Sequence, residues 1–108
     1  MIKAERIAAL NDHLRWSFSG GKVMLTASVA ALSDSEQACI LMAARQFDDF
    51  NEENDPNGEH DCALFEAAGH SCMFKIDYYD PNLRCGSDDP ADPAKTTRVL
   101  TIMLASDY

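Results

Sequence analysis

Seven carboxylates, and neither lysine nor arginine, lie in the fifteen residues 47–61, which read FDDFNEENDPNGEHD. Helix-like sequence precedes this segment and strand-like sequence follows it. We therefore interpret it as an acidic face of a folded domain and not as a detached acidic tail. Negative charge concentrated on a small ordered domain either binds cations or faces a basic partner. The sequence favours the basic partner.

The size and charge of the chain limit the classes of function open to it. Its 108 residues are enough for one domain with one core, and we assign residues 1–108 to a single domain. Hydrophobic residues make up 46% of the chain, which argues against disorder. Eighteen acidic and nine basic residues give a net charge of −9. Nucleic acids and anionic membranes bind basic surfaces, so direct binding to either is not expected.

Neither a membrane span nor a secretory signal is predicted. No apolar run reaches the roughly 18 residues of a membrane helix, and the first residues (MIKAERIAAL) lack the apolar core of a signal peptide. We therefore expect a cytoplasmic protein. Its four cysteines form no C-x-x-C pair, so we predict reduced thiols and no zinc ribbon. No cofactor is expected.

The first half of the chain is predicted to be mostly helical. Apolar residues recur at steps of three and four in residues 3–17, which predicts an amphipathic helix that ends at Ser19–Gly21. A short strand is expected at residues 22–27. Ser33 and Glu36 have the spacing of a capping box, which predicts the start of a second helix.

The second half is predicted to contain a hairpin and a third helix. Residues 62–67 and 71–79 alternate as antiparallel strands do, with Phe65, Cys72, Phe74, Ile76 and Tyr78 on the candidate buried face. Residues 98–105 fit a helix or a buried strand, and we favour a helix because Met, Leu and Ala dominate. The order helix, strand, helix, strand, strand, helix predicts a small α+β domain whose antiparallel sheet packs against helices.

The end of the second helix breaks a local rule of stability. This helix is predicted to end with Asp48, Asp49, Glu52 and Glu53, where the partial negative charge of a helix C-terminus disfavours acids by about 0.3–1 kcal/mol each. Neighbouring carboxylates one turn apart would repel each other as well. Penalties without local compensation indicate a functional surface. The alternative is an acidic face that only keeps the protein soluble.

A second acidic group follows the hairpin, and the sequence does not tell whether it meets the first. Tyrosines next to it would be suitable anchors on an interaction surface, with rings packed and hydroxyls in water. The candidate partner-binding residues from both groups are Asp48, Asp49, Glu52, Glu53, Asp55, Glu59, Asp61, Asp77, Tyr78, Tyr79 and Asp80.

Chemical sites are less well supported. Glu59, His60 and Asp61 could belong to a metal-binding module or a small metal-dependent hydrolase, but no second histidine is near in sequence. No nucleophile motif and no phosphate-binding loop is present. We predict no metal site and no catalytic residues, and the metal-binding function remains the alternative.

Several blocks of the chain resemble an uncharacterised family of short bacterial proteins, a domain of unknown function. These blocks are NDPNGEHD (54–61), FKIDYYD (74–80) and GSDDPADPAKTTRVLTIMLASDY (86–108), together with IAALNDHLR (7–15) and GGKVMLTASV (20–29). The resemblance implies no reaction and no ligand. Cys62 and Cys85 depart from the usual pattern, which speaks against a shared thiol function.

The resembling family is similar to the accessory proteins of plasmids, phages and integrated elements, and small acidic proteins of such elements often inhibit host defence. By this analogy we expect a non-enzymatic inhibitor of the anti-CRISPR or anti-restriction type. Its acidic residues would imitate the phosphates of a nucleic acid and occupy the basic surface of a nucleic-acid-binding complex. The inhibitor itself would be a monomer or a homodimer.

Overall fold

A computed structural model describes residues 2–108 of the chain. Its helices and strands follow in the order α1 (Lys3–Ser17), β1 (Lys22–Leu25), α2 (Ala27–Ala30), α3 (Asp34–Gln46), β2 (Cys62–Ala67), β3 (His70–Tyr79) and β4 (Thr97–Leu104). Two 3₁₀ turns, Pro93–Lys95 and Ala105–Asp107, flank β4. None of the described helices has the length and the apolar character that crossing a membrane requires.

The four strands form one mixed sheet in the order β1-β4-β3-β2. β4 is parallel to β1 and antiparallel to β3, and β3 is antiparallel to β2. The turn of the β2–β3 hairpin contains Ala68 and Gly69, both with positive φ angles. The sequence therefore predicted the α+β class and the hairpin correctly.

The core lies between one face of the sheet and the helices α1 and α3. Leu14 of α1 and Ile40 of α3 are fully buried against Phe74 of β3 and against Leu100 and Ile102 of β4. The expected buried face of the hairpin is confirmed at Cys72, Phe74 and Ile76, while Phe65 and Tyr78 are half-buried. The capping box at the start of α3 is also present, since the Ser33 side chain accepts a hydrogen bond from the Glu36 amide.

The prediction of a helix at residues 98–105 is wrong, because this segment is the strand β4. β4 lies between β1 and β3, and five of its eight residues are buried, on both faces of the sheet. A strand buried on both faces loses the alternation of polar and apolar residues and reads as a continuous apolar run. Pairing with two neighbours that are distant in sequence outweighs the helix propensity of Met and Leu.

The prediction that α3 reaches Glu53 is also wrong, because α3 ends at Gln46 and Phe47 is extended. The cause is a tertiary contact with Arg15 of α1, whose Nη1 donates to the backbone oxygens of Ala44 (3.0 Å), Arg45 (3.1 Å) and Phe47 (2.7 Å). These bonds satisfy carbonyls that the end of a helix leaves without partners. Glu52 and Glu53 therefore lie beyond the helix end and escape the predicted dipole penalty, whereas Asp48 and Asp49 follow the C-cap directly, where the charge of Arg15 acts on Asp48.

Candidate functional site

The acidic loop, residues 47–61, joins α3 to β2 and is held at its start by two aromatic rings. The ring of Phe47 lies 5.8 Å from that of Phe74, and the ring of Phe50 lies 6.3 Å from it, both in edge-on geometry. Such pairs add about 0.5–1.5 kcal/mol to the gain from apolar burial. The loop is therefore anchored in the core.

Two asparagines fix the middle of the acidic loop. Asn51 Oδ1 accepts from the amides of Glu53 (2.9 Å) and Asn54 (3.0 Å). Asn54 in turn accepts from the Asn51 amide (2.8 Å) and donates to the Asp49 oxygen (2.8 Å). Asparagine side chains commonly close turns in this way. The backbone of the loop is thus ordered by its own hydrogen bonds.

Four carboxylates of the acidic loop face the solvent, and we call them the exposed quartet: Asp48, Asp49, Glu52 and Glu53. Within the described residues, none of the four forms an ion pair with a distance of 4 Å or less. Arg15 is the positive group that interacts with the quartet. Burial lowers the pKa of Arg15, and the negative charge of Asp48 raises that pKa part of the way back. The quartet is a concentrated and largely uncompensated negative surface.

The other three acids of the loop point inward. Asp55 is 8% exposed and accepts a hydrogen bond from the His60 amide at 3.2 Å. Glu59 Oε1 accepts from the Tyr78 hydroxyl at 2.8 Å. Burial raises the pKa of Asp61, and the charges of neighbouring acids raise it further. These three side chains are engaged within the fold and are separate from the exposed quartet.

Tyr78 belongs to a buried polar network that the sequence did not reveal. Its hydroxyl accepts from Asn11 Nδ2 at 2.9 Å, and Asn11 Oδ1 accepts from Arg98 Nε at 2.8 Å. The Arg98 guanidinium lies 5.2 Å from the centroid of the Tyr78 ring and also donates to the backbone oxygen of Pro90. Burial raises the pKa of Tyr78 far above its ordinary value. Tyr78 is therefore a structural residue, and its hydroxyl is not free to bind a partner.

A second polar cluster connects α1 with the acidic loop. His60 stacks on Phe50 with ring centroids 4.1 Å apart, and its Nδ1 lies 3.0 Å from Asp12 Oδ1. Asp12 also accepts from Arg15 Nη2 at 3.0 Å. His60 has a φ angle of 56°, in the left-handed region that few side chains adopt. The contacts with Asp12 and Phe50 hold it there.

The sequence contains a signal that indicates the buried polar residues of α1. Asn11 and Arg15 occupy the same helical stripe as Ile7 and Leu14, at steps of three and four. A polar residue on an apolar stripe needs a partner in the core. Arg98, within the apolar run of β4, is a signal of the same kind.

The second acidic group, which comprises Asp77, Asp80, Asp88, Asp89 and Asp92, is partly engaged in local contacts. Asp77 forms an ion pair with Lys75 at 2.8 Å. Asp80 accepts from the Arg84 amide at 2.9 Å, which lowers the pKa of Asp80. Tyr79 is exposed, on the sheet face that the helices do not cover. Asp61 lies beside β3, because the Ile76 amide donates to the Asp61 oxygen at 2.7 Å, and this places it next to Asp77 along the chain of β3.

The arrangement gives little support to a metal site. Glu59, His60 and Asp61 are consecutive, but Glu59 contacts Tyr78 while His60 contacts Asp12. Among residues 2–108, no group of three or more His, Cys, Asp or Glu side chains is placed to hold a metal ion.

The comparisons with known proteins identify a family without a known activity. A family model described as "Protein of unknown function (DUF3768)" matches residues 25–107, a span that includes the acidic loop and β2 to β4. Comparison with curated proteins gave no match, and comparison with solved structures gave none either. The chain belongs to the DUF3768 family of proteins of unknown function.

Proposed function

We propose that this protein is a non-enzymatic inhibitor that binds a basic, nucleic-acid-binding surface of a host complex through the exposed quartet. The observation that carries the proposal is that Asp48, Asp49, Glu52 and Glu53 are exposed, unpaired within the described residues, and held on an ordered loop. A loop that is ordered before binding loses less conformational entropy when it binds. Opposite charges across such an interface raise the association rate and make it depend on salt.

The choice of partner rests on charge. A net charge of −9 repels nucleic acid, so this protein would compete with nucleic acid for a common basic site. A CRISPR effector or a restriction enzyme in the cytoplasm has such a site, and a mobile element would gain from blocking it. The quartet would take the positions of phosphates.

A groove beside the quartet offers a place for an anchoring side chain of the partner. It has a volume of about 400 Å³, and its lining includes Glu5, Phe50, Glu52, Asp55 and His60. The exposed carboxylates of Glu5 and Glu52 suit the guanidinium of an arginine, which can pair with both. The sequence analysis gave the anchoring function to Tyr78 and Tyr79; this groove would replace Tyr78, while Tyr79 stays exposed.

Charge reversal tests the proposal. The tagged wild-type protein is used to capture complexes from a host lysate at low and high salt, and captured complexes are assayed for nucleic-acid binding with and without the inhibitor. We expect a nucleic-acid-binding complex whose capture weakens as salt rises, because salt screens exposed charges. Reversing Asp48, Asp49, Glu52 and Glu53 to lysine should abolish capture while the thermal melt stays cooperative.

A matched pair of variants separates the position of the charge from its amount. Glu52→Gln with Glu53→Gln should weaken binding, whereas Asp34→Asn with Asp88→Asn, which removes two exposed carboxylates elsewhere, should not. Unchanged capture by the lysine variant, or a captured complex that still binds nucleic acid fully, would contradict the proposal.

A further inference from the structure

The strand β2 forms a free edge of the sheet, since it pairs with β3 on one side and with no described strand on the other. The Ile76 amide donates to the Asp61 oxygen at 2.7 Å, so Asp61 and Ile76 are a hydrogen-bonded pair of the β2–β3 ladder. Hydrogen-bonded and non-bonded pairs alternate along antiparallel strands. Backbone hydrogen bonds to β3 are therefore formed by the odd-numbered residues Ala63, Phe65 and Ala67. The backbone N–H and C=O groups of the even-numbered residues Cys62, Leu64 and Glu66 point away from β3, towards the free edge. No hydrogen bond within residues 2–108 uses these outward groups.

The β2 edge has few of the devices that usually prevent pairing with another chain, and Glu66 is its one charged residue. Natural edges are short or carry charged side chains, lysine above all, or proline, bulges or inward charges. β2 has six residues, CALFEA, with no lysine or proline and an unbroken register against β3. Leu64 at its centre is 67% exposed. The opposite edge, β1, has only four residues and starts with Lys22.

We propose that β2 pairs antiparallel with β2 of a second copy of this chain, across a two-fold axis at Leu64, to form a continuous eight-stranded sheet. In this register Leu64 faces the partner's Leu64, and Cys62 faces the partner's Glu66. The outward backbone groups of Cys62, Leu64 and Glu66 then meet those of the partner. A register shifted by one residue would place at the interface backbone groups that already hydrogen-bond to β3. A register centred on Glu66 would place two glutamates opposite each other.

The apolar residues on the sheet face opposite the helices agree with this register. Met103, Met73 and Leu64 are neighbours across β4, β3 and β2, and the partner would continue the row. A cleft of about 370 Å³ adjoins the row, lined mainly by Cys62, Leu64, Met73 and the C-terminal Tyr108. Pairing at Leu64 would bring the two clefts together and cover both.

Charge complementarity also selects this register. Lys75 lies next to Cys62 across the β2–β3 ladder, on the same face. The partner's Glu66 would lie one strand beyond Cys62, so the Cα atoms of Lys75 and the partner's Glu66 would be roughly 10 Å apart, two strand spacings. The small Cys62 side chain leaves room for both long side chains above it, where Lys75 would share its ammonium between Asp77 of its own chain and the partner's Glu66, and Glu66 could keep its hydrogen bond from Ser71. The two-fold axis would produce this ion pair twice.

The net charge predicts an unusual response to salt. Two chains of −9 repel each other over long distances, and salt screens this repulsion more than it weakens short contacts at the interface. Dimerisation should therefore strengthen as salt rises. Binding of a basic partner by the exposed quartet should weaken, so the two proposals can fail separately.

Analytical ultracentrifugation of the purified chain tests the dimer. We expect the mass to rise with concentration from the 11.9 kDa of the chain towards about twice that value, and to rise further at high salt. Leu64→Lys places two lysines opposite each other and should raise the dissociation constant at least about tenfold. Met24→Lys is the matched control, because Met24 is 55% exposed on β1, and it should change the constant by less than about twofold.

A charge swap tests the register. Glu66→Lys should weaken the dimer, and adding Lys75→Glu should regain part of the lost affinity, although Lys75→Glu also breaks the ion pair with Asp77 of its own chain. Thermal melts of all variants report whether the monomer remains folded. A wild-type chain that stays monomeric at every concentration and salt would overturn the proposal, and the edge would then be open to an extended segment of another protein. A dimer that Leu64→Lys leaves intact, or that Met24→Lys weakens equally, would overturn it as well.

Discussion

Replacing Arg15 with methionine removes the contact that ends α3 and orders the start of the acidic loop. Arg15 is 1% exposed and donates to the oxygens of Ala44, Arg45 and Phe47 and to Asp12. Methionine has a similar length and can pack on the same aromatic rings, but it donates no hydrogen bond. The substitution therefore removes the donors while keeping most of the volume.

The expected cost follows from the groups that lose their partner. Breaking a buried ion pair by removing one member costs about 3–5 kcal/mol. The Arg15 guanidinium also lies 5.1 Å from the Phe74 ring and 5.4 Å from the Phe50 ring. Methionine retains apolar contact with both rings, Asp12 keeps its contact with His60, and the substitution removes the buried Arg15 Nε, which has no hydrogen-bond partner within the described residues. These points place the net loss at the lower end, at about 3 kcal/mol. Small domains have a total stability of about 5–15 kcal/mol, so the loss is a large fraction of it.

Urea denaturation measures this loss. Slopes of small domains are about 1–3 kcal/mol per molar urea, so the midpoint should fall by about 1–3 M. Arg6→Met is the control, because Arg6 is exposed on the same helix and the change should stay within about 0.5 kcal/mol. Equal midpoints for the two variants would refute the role given to Arg15. Amide exchange should also speed up in the acidic loop of the Arg15 variant if its order depends on this contact.

Two further substitutions test the inward-facing polar groups. Tyr78→Phe leaves Glu59 without its hydroxyl donor and takes one acceptor from Asn11, so we expect a loss of about 1–3 kcal/mol in urea denaturation; a loss no larger than that of an exposed tyrosine would contradict the network. Asp61→Asn should stabilise the protein near neutral pH. Burial raises the pKa of Asp61, so the folded state binds this proton more tightly than the unfolded state does, and stability falls as pH rises above the ordinary value of 3.8. The gain should disappear below that pH, and a gain of equal size at all pH values would show that the Asp61 charge is not its cause.

Local signals explain what could be predicted from the sequence. α1 was predicted with its observed bounds because its apolar residues recur at the helical period and Gly20–Gly21 stops it. The start of α3 followed from Ser33 and Glu36, and the β2–β3 hairpin followed from alternation around Ala68-Gly69. The exposure of Asp48, Asp49, Glu52 and Glu53 agrees with a charge run between two elements.

The remaining features depend on contacts between distant residues. Residues 97–104 form a strand because β1 and β3 lie on either side of them, and α3 stops at Gln46 because Arg15, about thirty residues earlier, takes its last carbonyls. Asp55, Glu59 and Asp61 share the composition of the exposed quartet but are drawn inward: Asp55 accepts from the His60 amide within the loop, and Glu59 accepts from the Tyr78 hydroxyl of β3.

The sequence by itself determined the local elements and the amount of negative charge, because helix periodicity, capping and turns act over a few residues. Only the tertiary structure decided which acids remain on the surface and which edge of the sheet is free. An ionised side chain can be buried only when a donor from elsewhere in the chain reaches it, and that donor is not visible in the local sequence.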